Sequence, residues 1–124
     1  MLDDTIAAIS TPVGEGGIGV IRISGKNARH VLAKVFLRKK GDGIPVRRIV
    51  YGDVIDSATR AVIDEALAFF MPAPCTYTRE DVAEIHFHGG ELALKQAIGA
   101  VLATSALLAN PGEYTLRAIL NGRN

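Results

Sequence analysis

The chain has 124 residues, the size of one ordinary domain. Its 48% apolar and 22% charged composition excludes a disordered chain. Fourteen basic against thirteen acidic residues leave a formal charge of +1, so no net field draws the chain to nucleic acid or membrane. A single cysteine, Cys75, rules out an internal disulfide and fits a reducing, cytoplasmic compartment. No apolar run reaches the roughly 18 residues of a membrane span, and Met1-Leu2-Asp3-Asp4 lacks the basic start of a signal peptide.

Thr5 to Ile9 reads as a short apolar strand that runs into a turn. Gly14-Glu15-Gly16-Gly17 is too rich in glycine for regular structure and is expected to be a loop. Ile18 to Ile23 is β-branched and apolar except for Arg22, which predicts a largely buried strand. Ala28, Val31, Leu32, Val35 and Phe36 recur at spacings of three and four, predicting a helix over 27–37 capped by Ser24 or Asn27. Arg38 to Pro45 is a basic, glycine-containing loop. Arg48 to Asp56 and Val62 to Met71 read as a strand hairpin. Pro72 to Thr76 is an extended loop, and Thr78 to Asp81 resembles a capped helix start. Val82 to His88 is a strand, Glu91 to Ser105 a helix, Leu107 to Ala109 an extended piece, and Tyr114 to Leu120 a helix stopped by Asn121-Gly122. This order predicts an α+β domain over 1–124, with helices packed on a mixed sheet.

Three features could carry chemistry. Glu84, His86 and His88 share one face of their strand by period two. Two imidazoles and a carboxylate are a metal-ligand set, but the same pattern also makes the polar wall of a binding groove or a solvated face. Gly89-Gly90 beside them lets backbone approach a ligand near a helix N-terminus. The glycine loop lacks the Lys-Ser/Thr ending and following helix of a phosphate loop; it is a plain connection or a loop that closes over a ligand. Arg22 inside an apolar strand needs an anion if it points inward, and Glu84 is its candidate partner. Such a guanidinium–carboxylate pair also offers a ligand a donor fork beside an acceptor. Cys75, next to Pro74 in a loop, reads as a small residue there rather than a nucleophile.

Three long stretches carry a resemblance. They are Asp4-Thr5-Ile6-Ala7-Ala8-Ile9-Ser10-Thr11-Pro12 with Gly16 to Gly25, Tyr77-Thr78-Arg79-Glu80-Asp81 through Gly90, and Asn110-Pro111-Gly112-Glu113-Tyr114 through Arg123. In this order they resemble the N-terminal domain of the bacterial tRNA modification GTPases of the MnmE (TrmE) family. The resemblance implies a longer protein, with a helical domain and a Ras-like GTPase domain outside this chain. The domain itself is then expected to dimerise and to bind 5-formyltetrahydrofolate, in a fold similar to the folate domains of glycine cleavage T-proteins. With the partner MnmG, a flavin and NADH enzyme, the family modifies carbon 5 of the wobble uridine of certain tRNAs. GTP, Mg and K would belong to the GTPase domain, and this chain alone is expected to have no catalytic residue and no metal. The implied folate contacts fall on Arg22, Glu84 and Arg123. The last is usually lysine, so charge is kept and geometry is not. Glu15 stands where arginine is common, Phe87 where cysteine is, and Arg79 where glycine is usual. A metal-dependent enzyme built on Glu84, His86 and His88, or a dimerisation module without ligand, are the alternatives.

Overall fold

A computed structural model describes residues 3–10 and 18–123. The expected glycine loop Gly14-Glu15-Gly16-Gly17 lies outside the described residues. Seven strands and three helices follow in the order β1 (Thr5–Ile9), β2 (Gly19–Ser24), α1 (Ala28–Val35), β3 (Phe36–Arg38), β4 (Val50–Ile55), β5 (Val62–Met71), β6 (Val82–Phe87), α2 (Gly90–Leu102), β7 (Ala106–Leu108) and α3 (Glu113–Leu120). The strands form one sheet in the order β3-β4-β5-β6-β2-β1-β7. Its neighbours are antiparallel except β1 and β7, which run parallel. The chain is therefore an α+β domain on a mixed sheet, as its pattern of elements predicts.

Register divides the residues between two faces. Ile9, Ile21, Ile85, Ala68 and Val50 stand in one cross-strand row, and Ala7, Ile23, Ala83 and Phe70 in a second. Both rows lie on the face where α1 buries Ala28, Val31, Leu32 and Val35 and α2 buries Leu94, Ala97, Ala100 and Val101. Each such aliphatic side chain contributes about 1.5–3 kcal/mol on full burial. The alternate rows point the other way: Ala8, Arg22, Glu84 and Phe69 form one, and Val20, His86, Leu67 and Tyr51 the next. α3 meets this second face through Tyr114, whose ring centroid lies 5.8 Å from the Arg22 guanidinium.

The structure departs from the sequence expectation at three places. The first helix stops at Val35, and Phe36–Arg38 becomes the edge strand β3, paired with Val54, Asp53 and Gly52 of β4. Gly52 is essential to that pairing, because a Cβ there would stand 2.2 Å from the Leu37 carbonyl oxygen. The α1 cap is also different: Asn27 makes no side-chain cap bond, and instead the Thr5 hydroxyl accepts from the Asn27 amide at 2.9 Å. Finally, Thr78 to Asp81 forms no helix. Thr78 spends its hydroxyl on Ser24 Oγ, 2.7 Å away in β2, and Arg79 takes a left-handed φ of 61°. That conformation favours glycine, the residue usual at this position in the family the sequence resembles.

Arg117 of α3 is 1% exposed, the largest fully buried side chain. Its Nη1 donates to the Asp4 carbonyl at 2.6 Å and lies 3.2 Å from both Glu80 carboxylate oxygens. Its Nη2 lies 3.1 Å from Glu113 Oε2. Two carboxylates thus answer one buried cation. Through Glu80, which also accepts from Ser24 Oγ at 2.9 Å, this network fixes α3 and the 72–81 loop against β2.

Candidate functional site

Because β2 and β6 are neighbours in register, Arg22 and Glu84 stand opposite each other. Arg22 Nε donates to Glu84 Oε2 at 2.8 Å, the pair expected from an arginine inside an apolar strand. Glu84 is 8% exposed, so the polar face of β6 is more covered here than a solvated strand face would be. Its second oxygen, Oε1, lies 2.8 Å from His86 Nε2. The His86 ring in turn stands 5.5 Å from Phe69, centroid to centroid. A carboxylate offers about four lone-pair sites, so these two partners leave acceptor capacity on Glu84. The Arg22 side chain remains 33% exposed, with its Nη groups free of protein acceptors among the described residues.

Tyr114 fixes Arg22 from the other side. Its hydroxyl donates to the Arg22 backbone carbonyl at 2.6 Å, and burial pushes its phenol well above the ordinary value, so it remains a donor at neutral pH. Next to the pair, a groove of about 490 Å³ opens on the same face of the sheet, with Tyr51, Leu67, Phe69, His86, His88 and Asp64 among its walls. Its size falls within the roughly 300–1,000 Å³ of small-molecule sites. At its end Asp64 Oδ2 is buried with no hydrogen-bond partner among the described residues, while Asp64 Oδ1 accepts from the Glu65 amide at 2.8 Å. A Cβ on Gly89 would come within 2.0 Å of that unpartnered oxygen, so this glycine is needed for the backbone to pass the Asp64 carboxylate.

Of the predicted site residues, Arg22 and Glu84 are joined directly. Arg123 is held by the 72–81 loop: its Nε donates to the Tyr77 carbonyl at 2.8 Å and its Nη2 to the Thr76 carbonyl at 3.0 Å, with its guanidinium 5.4 Å from the Tyr77 ring centroid. The same loop is tied to β2 by the Thr78–Ser24 hydroxyl bond of 2.7 Å. His86 joins Glu84, whereas His88 lies past the end of β6 in the groove wall. Among the described residues no three His, Cys, Asp or Glu side chains converge as a metal site. Cys75 is exposed, and its carbonyl accepts from Arg47 Nη2. Asp64, Phe69 and Tyr114 were not legible as site residues. Nothing in their spacing marks them, since strand pairing and the return of α3 bring them in.

The fold is that of a small α+β domain, with a charged pair on one face of its mixed sheet and a ligand-sized groove nearby. The family described as the GTP-binding protein TrmE N-terminus matches residues 5–123, and the chain belongs to that family. It is 49% identical over 122 residues to the tRNA modification GTPase MnmE of Geobacter sulfurreducens, covering 98% of this chain and 27% of that protein. It is 52% identical over 122 residues to the MnmE of Chloroflexus aurantiacus, and 51% over 123 residues to that of Roseiflexus castenholzii, with similar coverage. The chain spans about a quarter of the length of the curated relatives it matches. Among the described residues no helix is long and apolar enough to cross a membrane.

Proposed function

We propose that this chain is the N-terminal domain of a cytoplasmic tRNA modification GTPase of the MnmE type, and that it binds 5-formyltetrahydrofolate and mediates homodimerisation. The observation that carries the folate reading is the Arg22–Glu84 pair, 2.8 Å apart, linked through His86 at 2.8 Å from Glu84 to a groove of about 490 Å³ that His86 lines. The donor set suits the ligand. A pterin presents an exocyclic amine and ring N–H groups, for which Glu84 has acceptor sites left over. The anionic glutamate tail suits a guanidinium, either Arg22 through its Nη groups or Arg123. Folate would bring the one-carbon unit of the modification; this chain's residues bind and orient it. GTP with Mg and K belongs to the GTPase domain, so the chain alone is neither a GTP hydrolase nor a metal enzyme, and MnmG and tRNA engage the full protein.

Titrating 5-formyltetrahydrofolate into the chain, with calorimetry and light scattering together, tests this reading. Saturable binding by a particle of twice the monomer mass is expected. A dimer that shows no folate heat would leave a dimerisation module without ligand, and a monomer without folate heat would overturn both halves of the proposal.

A further inference from the structure

The formal charge of +1 hides two opposed regions. Eight of the fourteen basic residues lie between Lys26 and Arg48, with Asp42 the one acidic residue among them. The rest of the chain carries six basic residues against twelve acidic ones. Such a local excess repels itself unless an anion compensates it.

The later part of this excess, from Arg38 to Arg48, falls on the edge strand β3 and the segment that follows it. Lys26, Arg29, Lys34, Lys39, Lys40, Arg47 and Arg48 are all exposed. Lys34 has a local explanation, since it lies in the last turn of α1, where a cation suits the helix dipole. The segment between β3 and β4 has none. It is folded onto the domain by arginines at both its ends and from α1: Arg29 Nη2 of α1 donates to the Ile44 carbonyl, Arg38 Nη1 of β3 to the Asp42 carbonyl at 3.3 Å, and Arg47 Nη2 to the Cys75 carbonyl at 2.9 Å. Carbonyl oxygens accept all three bonds, so the guanidiniums are ordered while their charge is not cancelled. Arg47 is further held in a left-handed conformation, φ 57°, with its amide bonded to the Phe70 carbonyl at 2.8 Å.

Lys39 differs from its neighbours: Asp53 Oδ1 lies 3.0 Å and Glu65 Oε2 3.6 Å from its ammonium, so its charge is answered. Lys40 and Arg48 have no hydrogen bond or ion pair among the described residues. Next to them Arg38, Lys39 and Lys40 share a hollow of about 340 Å³ with Ile49 and Tyr51, both exposed. An exposed aromatic ring among cations suits a partner that offers phosphates together with stacking bases.

We propose that this segment, centred on Lys40, Arg47 and Arg48, docks the phosphate backbone of tRNA directly onto the N-terminal domain. The choice of RNA among polyanions rests on the tRNA reading above and on the exposed Tyr51 ring, which also walls the groove; the docking cations Lys40, Arg47 and Arg48 themselves lie outside that groove's lining. Guanidiniums ordered by carbonyls present forked donors to phosphate oxygens, and lysine adds a mobile point charge. The contacts are to backbone, so they position the RNA without reading its sequence.

The test uses the full 124-residue chain, an unmodified bacterial tRNA transcript, and fluorescence anisotropy between 50 and 200 mM salt. The variants are Lys40→Gln with Arg48→Gln together, and Lys95→Gln as a control on α2, where Lys95 pairs with Glu91 at 3.3 Å. Each phosphate contact contributes roughly 0.7–0.9 to the slope of log affinity against log salt. The double variant is therefore expected to lose about 1.5 from that slope and roughly tenfold or more in affinity near 100 mM salt, with Lys95→Gln unchanged. No tRNA binding by the parent chain at 50 mM salt, an unchanged slope in the double variant, or an equal loss in Lys95→Gln would each overturn the proposal. Anionic phosphatidylserine vesicles are run in parallel; binding to vesicles and not to tRNA would overturn it in favour of a lipid surface. Folate titration of the same samples keeps the two readings apart, because the double variant is expected to bind folate like the parent. Loss of folate binding by the parent alone would sink the folate reading and leave the docking segment standing.

Discussion

Replacing Glu84 by glutamine changes charge and almost nothing else, which makes it the sharpest probe of the proposed folate site. In the parent chain Oε2 accepts from Arg22 Nε at 2.8 Å and Oε1 lies 2.8 Å from His86 Nε2. The glutamine carbonyl can keep the first bond, and its amide can donate to a neutral His86 nitrogen. Packing is preserved, and because the Arg22 side chain is 33% exposed, water screens the lost ion pair. The stability loss is therefore expected to be about 1 kcal/mol, read from the urea midpoint at an unchanged slope. Folate should suffer more. A hydrogen bond to an ionised acceptor contributes on the order of 1.5–3 kcal/mol, so affinity for 5-formyltetrahydrofolate should fall roughly 10- to 150-fold. Calorimetry on parent and variant, each shown to be folded by circular dichroism, measures the ratio. Equal affinity in the two proteins would remove Glu84 from the site and refute the argument that its spare lone pairs read the pterin.

Two further outcomes follow from groups the groove does not use. Arg117→Met leaves Glu80 and Glu113 without their buried cation, and breaking such a pair costs about 3–5 kcal/mol; chemical denaturation should show that loss, and a parent-like midpoint would show that α3 is not held by this network. Tyr114 has its phenol raised by burial, so the folded state keeps a proton that the unfolded chain releases above pH 10 or so. Its contribution is fully present below that pH and is lost as pH rises toward the folded value. Tyr114→Phe should therefore be less stable by about 1 kcal/mol at pH 7, from the lost bond to the Arg22 carbonyl, and should show a shallower alkaline decline; parallel alkaline limbs in the two proteins would contradict the assignment.

What the sequence determined by itself is what local pattern and motif can carry. Short apolar, β-branched runs marked β1 and β2, period two placed Glu84, His86 and His88 on one face of β6, and spacings of three and four marked α1 and α2, because a buried face leaves such a signature whatever lies opposite it. Arg22 stood out as a cation in an apolar strand, and its need for an anion pointed to Glu84, 62 positions away. The motif order identified the family. What only the tertiary structure decided is what depends on which strands become neighbours. Phe36 to Arg38 fits the apolar spacing of α1, yet edge pairing to β4 across Gly52 makes it β3. Thr78 has the sequence of a helix cap, yet Ser24 and Glu80 claim its hydroxyl. Arg117 is buried because Glu80, Glu113 and the Asp4 carbonyl converge on it from separate parts of the chain. Arg123 was marked by motif, and only the fold shows what orients it, the carbonyls of Thr76 and Tyr77. Composition likewise returned a charge near zero, because summing over the chain discards position, and only the fold shows which cations of 26–48 are answered by carboxylates, as Lys39 is by Asp53. Local periodicity is a property of neighbours along the chain; register, burial of a charge and the shape of an electric field belong to neighbours in space.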